Sequence, residues 1–230
     1  MKPHSATMAL PKIDQRRAVD EVYERLREAI LTKQVFPGQR LNVDEISRQL
    51  GVSLTPVRSA LELLAADGLV EVRPRSGTFV AILKASDVEE TMDVRCALEC
   101  LAAEKAVERL SDQDIATARD LLKVLSKPIY NEEDRQEHED ANSQLHLILI
   151  HAGGNRRLAE IYEKLHAHLT IARVHRTSTD WSRRTTQEQV EHDEIVAAME
   201  RRDAKALVDA LRQHILRAKE SLVRSIEGSA

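Results

Sequence analysis

The sequence predicts a mainly α protein, with a small helical head that carries one β-hairpin and an all-helical body. Three observations predict it. Residues 42–62, NVDEISRQLGVSLTPVRSALE, hold two short helices joined by Gly-Val-Ser. Two short β-rich runs, Leu69–Val72 and Thr78–Ile82, flank the basic, Gly-containing stretch Arg73–Gly77, which is the pattern of a hairpin. From residue 86 onward apolar residues recur at helical spacing and strand signals all but vanish.

Residues 1–13 show no periodicity and are expected to form a mobile arm. An amphipathic helix over 14–34 follows, with Val19, Val22, Tyr23, Leu26 and Ile30 on one side. Pro37-Gly38 turns the chain into the helix pair. Asn42 followed by Glu45 reads as a capping box, Ile46 and Leu50 as a buried stripe, and Gly51 as the residue that ends the helix. Ser53 then caps a second helix that has Pro56 in its first turn, where no backbone donor is lost. Val57, Ala60, Leu61 and Leu64 share its inner side, while Thr55, Arg58, Ser59 and Glu62 face outward. An ordinary helical hairpin with a solvated face has the same pattern. The basic hairpin that follows turns the balance toward a winged helix-turn-helix, whose second helix enters the DNA groove and whose wing tip reaches DNA beside it.

PGQRLNVDEISRQLGVSLTPVRSALELLAADGLVEVRPRSGTFVA resembles the N-terminal domain of GntR-type bacterial transcription regulators over about residues 15–82. The resemblance rests on Pro37-Gly38, Gly51-Val52-Ser53, Thr55-Pro56-Val57-Arg58, Gly68-Leu69-Val70 and Gly77. It implies DNA contacts from Ser53, Thr55, Arg58 and Ser59, with Arg73, Arg75 and Gly77 at the wing. Leu54 stands where family members usually carry Arg or Lys, so the base preference is expected to depart from theirs.

Six helices are predicted for the body, near 86–109, 111–126, 131–152, 155–178, 185–202 and 204–226. Ser86 with Glu89 and Ser111 with Asp114 read as capping boxes, and Pro128 and Gly153-Gly154 as breaks. The net charge of −4 divides unevenly. Residues 1–81 carry 12 Lys and Arg against 10 Asp and Glu, and the remainder 22 against 28. A mildly basic head on an acidic body suits a protein whose head alone meets phosphates. No apolar run approaches a membrane span and no secretory core precedes the helices, so a cytoplasmic protein is expected. Cys96 and Cys100, one helical turn apart, are expected to be reduced thiols.

Polar residues on the inward stripes of the body carry its chemistry. Asn142 and His146 lie in line with Leu149. His192 shares a face with Ile195, Val196 and Met199, and His214 falls between Leu211 and Ala218. Three imidazoles and an amide projecting from three helices into one interior suit a divalent metal with positions left for a ligand. A hydrogen-bonded core is the alternative, in which each imidazole needs its own partner. His138, His166, His168 and His175 show no such pattern and are assigned to surface or loops. Arg95 and Glu99 form an inward i, i+4 pair. This is either a salt bridge or a holder for the carboxylate of a ligand, and both roles can hold together.

DVRCALECLAAEKAV, NSQLHLILIHAGGN and EHDEIVAAMERRDA, with the late His214, resemble the all-helical, FCD-type effector domain of the FadR-like branch of GntR regulators. The match spans about residues 86–226. It implies a metal (zinc most often, nickel or manganese otherwise) on Asn142, His146, His192 and His214. Many relatives carry Asp where this chain has Asn142. It also implies a small carboxylate effector held by Arg95, with Arg173 as a second candidate. The expected architecture is a DNA-binding domain over 1–82 and an effector and dimerisation domain over 83–230. The expected function is a homodimeric, effector-responsive repressor that binds a pseudo-palindromic operator and is not an enzyme. Two rivals remain: a metalloenzyme using Glu99 or Glu191 as a base, and a constitutive DNA-binding protein whose bundle only dimerises.

Overall fold

The computed structural model describes residues 15–32, 34–82, 84–174 and 181–227, with the main chain alone at 15, 16, 166–174 and 181–186. The predicted arm, the side chains of His166, His168 and Arg173, and the whole of His175 lie outside the described residues. Two compact units divide the chain, Met1–Ile82 and Leu83–Ala230.

In the first unit, α1 (Gln15–Leu31) packs on α3 (Leu54–Ala66), with α2 (Val43–Leu50) beside α3. Val22, Leu26 and Ile30 of α1 are buried, as are Val57, Ala60, Leu61 and Leu64 of α3. The Asn42 side chain accepts from the amides of Asp44 and Glu45, and Gly51 ends α2 in the left-handed region at φ 66°. Ile46 and Leu50 are half-buried instead of buried, because α2 is two turns long and lies at the edge of the unit. Ser53 occupies the N-cap position of α3 without a side-chain capping bond.

The hairpin is present as β2 (Val70–Arg73) and β3 (Gly77–Val80), but it belongs to a three-stranded antiparallel sheet. The third strand, β1 (Arg40–Leu41), pairs with β3. Strand alternation sorts the sheet into two faces. Leu41, Val70 and Val80 turn inward and are buried. Arg40, Glu71, Arg73 and Phe79 share the outer face, with Arg40 and Glu71 both opposite Phe79.

Six helices build the second unit: α4 (Ala85–Arg109), α5 (Asp112–Leu125), α6 (Glu132–Ala152), α7 (Arg156–Val174), α8 (Trp181–Glu200) and α9 (Ala204–Glu227). The predicted box at Ser86 and Glu89 is displaced: α4 begins at Ala85, where the Asp87 carboxylate accepts from the Lys84 amide at 2.8 Å. Ser111 and Asp114 do form a reciprocal capping box. The core runs through Ala103, Ala106, Leu121, Leu145, Leu149, Ile195, Met199, Leu207 and Leu211, which come from five helices. Helix α4 lies along α9, and Cys96 and Cys100 are free thiols buried at that contact.

Candidate functional site

Three stripes in the second unit converge. His146 from α6, His192 from α8 and His214 from α9 are all buried, and one ligating nitrogen from each lies within 4.8 Å of the others. The ring centroids are 5.2 Å apart for His146 and His214 and 4.7 Å for His192 and His214. Burial pushes the His192 and His214 pKa values well below the ordinary 6.5, and the neighbouring imidazoles push the same way. These rings are therefore neutral at neutral pH and keep a lone pair for a metal.

Carboxylates stand behind two of the rings. Glu99 Oε2 lies 2.5 Å from His146 Nδ1, and Glu191 Oε2 lies 2.9 Å from His214 Nδ1. An ionised carboxylate accepts, so Nδ1 carries the proton and Nε2 is the nitrogen left to ligate. Burial pushes the Glu99 carboxyl upward, but Arg95 and His146 outweigh it and hold it well below the usual carboxylate range. The two carboxylates named as possible bases are thus occupied in orienting imidazoles. Glu191 is held in turn by Arg217.

Asn142 Oδ1 lies 2.8 Å from His192 Nε2. A direct hydrogen bond accounts for that distance. To become neighbours on one metal, with ligand distances of about 2.1 Å, the two atoms would part to about 3.0–3.4 Å, a small adjustment. His192 Nδ1, the ring nitrogen away from Asn142, is buried with no hydrogen-bond partner; ligation through Nδ1 would satisfy it, and ligation through Nε2 would not. The donor set fits a divalent metal such as zinc.

Arg95 is buried and donates from Nε to Glu99 Oε1 at 2.6 Å. The Tyr162 hydroxyl donates to the same oxygen at 2.8 Å. The salt bridge expected from the i, i+4 spacing is therefore present and is anchored to a third helix. His138 corrects the assignment made from sequence. It is buried on α6 with Nε2 3.8 Å from Glu188 Oε2. Its spacing from Asn142 and His146, four and eight residues, marks the same stripe and was the signal available to find it.

In the first unit Thr55 and Arg58 are exposed on α3, Ser53 is exposed at its cap and Ser59 is half-buried. Arg75 is exposed at the wing tip with φ 65°, and Gly77 has φ 120°. Arg73 is engaged: its guanidinium donates from Nε and Nη2 to Glu71 Oε2 at 3.0 and 2.8 Å and lies 4.6 Å from the centroid of the Phe79 ring.

A winged helix-turn-helix in one unit and a ligand-ready helical bundle in another define a DNA-binding regulator with its own sensing domain. The chain belongs to the GntR family of bacterial regulatory proteins. Residues 18–80 match the family described as "Bacterial regulatory proteins, gntR family", and residues 90–217 match the FCD domain. It is 27% identical over 196 residues to the uncharacterized HTH-type transcriptional regulator YdhC of Bacillus subtilis, covering 85% of each chain. It is also 27% identical over 205 residues to the HTH-type transcriptional repressor RspR of Escherichia coli, covering 88% of this chain and 87% of that one. A putative GntR transcriptional regulator from Rhodococcus superposes with a TM-score of 0.78 at 23% identity, covering 91% of this chain and 99% of that chain, which shows the fold. These domains and relatives are transcription regulators, not enzymes, which removes the metalloenzyme rival.

Proposed function

We propose that this regulator is a homodimeric repressor whose affinity for a pseudo-palindromic operator is set by a small carboxylate docking at a divalent metal in the FCD domain. The convergence of three buried imidazoles within 4.8 Å carries the reading. Zinc suits a set of neutral nitrogens with positions left open, and nickel or manganese is accommodated by the same donors. His146, His192 and His214 hold the ion, with Asn142 as the fourth ligand. A carboxylate takes an open position and the guanidinium N–H groups of Arg95 that Glu99 leaves, with Arg173 as a second contact. The domains divide as 1–82 for DNA and 83–230 for effector and dimerisation.

DNA is met by Ser53, Thr55, Arg58 and Ser59 on the recognition helix and by the wing. Exposed Val94 and Leu101 on α4, with Leu98 half-buried between them and Ile161 exposed on α7, supply an apolar stripe for the dimer contact. The name of the RspR relative supports repression. The protein works in the cytoplasm, where its operator is. An effector changes DNA affinity only by binding one arrangement of the dimer better than another.

Elemental analysis of chelator-washed protein beside His192→Ala tests the metal. We expect a near-stoichiometric divalent ion in the wild type and none in the variant. Absence from both proteins would reduce the histidines to a polar core and leave the effector class open.

A further inference from the structure

We propose that Arg40, contributed by β1 outside the hairpin, is a phosphate-binding arm of the wing together with Arg75, and that Arg73 builds the wing instead of touching DNA. The inference rests on the DNA-binding role of the first unit and concerns which cations carry it.

The outer face of the sheet holds two arginines in opposite circumstances. Arg73 is neutralised by Glu71 through two N–H groups and lies over the Phe79 ring. Its charge and two of its N–H groups are already committed to the Glu71 carboxylate, which leaves it less to offer a phosphate. Arg40 is exposed, and among the described residues no carboxylate pairs with it or with Arg75. Its guanidinium lies against Gly77 at the hairpin tip: a Cβ on Gly77 would stand 2.9 Å from Arg40 Nε and 3.4 Å from Nη2. The absence of a side chain at Gly77 leaves the space that this guanidinium occupies. Glycine is required here by φ 120°, and a side chain in its place would also push the guanidinium aside. A planar cation with free N–H groups at a wing tip is suited to a phosphate oxygen.

Nothing in the hairpin sequence points to this residue, since Arg40 lies 33 positions before Arg73 and reaches the wing only because β1 pairs with β3.

The test is fluorescence anisotropy with a labelled duplex selected by the wild-type protein from a random-sequence pool, titrated across a salt series. Each lost phosphate contact lowers the slope of log K against log salt by about one unit per protomer. Arg40→Ala is expected to lose that unit, Arg40→Lys to keep most of it, and Arg73→Ala to lower the melting temperature with the slope unchanged. Arg58→Ala separates the two levels of the argument. Weaker binding in Arg58→Ala with a wild-type slope in Arg40→Ala overturns the assignment of Arg40. An equal loss of slope in Arg73→Ala overturns the contrast between the two arginines. Undiminished binding in Arg58→Ala, Arg40→Ala and Arg75→Ala alike overturns the DNA-binding face itself.

Discussion

Glu99 is fully buried on α4 yet ionised, since Arg95 and His146 hold it so against the cost of burial. Half of this arrangement was legible in the sequence. Arg95 and Glu99 stand four apart on an inward stripe, so their pairing follows from helix geometry. The link to His146 spans 47 residues and the link to Tyr162 spans 63. Neither can be read from one helix, because they depend on how α4, α6 and α7 pack. Removing one partner of a buried pair leaves the other charged and unpaired. Glu99→Gln is therefore expected to reduce unfolding free energy by about 3–5 kcal/mol, measured by urea denaturation of the metal-free protein. A loss below about 1 kcal/mol, the value of an exposed pair, would mean that the Arg95 guanidinium finds another acceptor.

At the scale of elements, two glycines end helices for different physical reasons. Gly51 after α2 sits at φ 66° with open space where a Cβ would be, so its requirement is conformational. Gly153 after α6 has an ordinary helical φ of −59°, but a Cβ there would stand 3.0 Å from the Cα, Cβ and carbonyl oxygen of Ala102. Its requirement is the close approach of α6 to α4, the helix that carries Arg95 and Glu99. Gly51→Ala is expected to cost about 1–2 kcal/mol, the penalty of the left-handed region for a residue with a Cβ. Gly153→Ala is expected to cost about 1–3 kcal/mol by overpacking, and also to weaken metal retention because His146 rides on α6. If Gly153→Ala held metal as well as the wild type, α6 would have room to move without disturbing the site. The sequence marked both glycines as breaks and could not tell these causes apart. Strand β1 escaped notice altogether, since two residues carry no periodicity and their pairing is decided by β3.

For the second unit as a whole, the converging histidines tie stability to pH. His192 and His214 have folded pKa values well below 6.5, with burial the largest cause. The unfolded chain, whose imidazoles titrate near 6.5, therefore takes up protons before the folded one. The unfolded state binds more protons below that pH, so stability is full above it and declines as pH falls through 6.5 toward the folded values. Carboxylates titrate lower, near pH 4, so the interval from about pH 7 to about pH 5 isolates the imidazoles. The melting temperature of chelator-treated protein is expected to fall across that interval, and His192→Asn, with one fewer buried imidazole, to fall less. Metal adds a second linkage of the same sign, because ligation needs the neutral rings. Zinc at about 100 times its dissociation constant is expected to stabilise the fold by about 2.7 kcal/mol, and this gain should vanish as the histidines protonate. Equal slopes for wild type and His192→Asn without metal would mean that His192 does not carry this proton linkage, and that acid sensitivity in this interval arises elsewhere in the bundle.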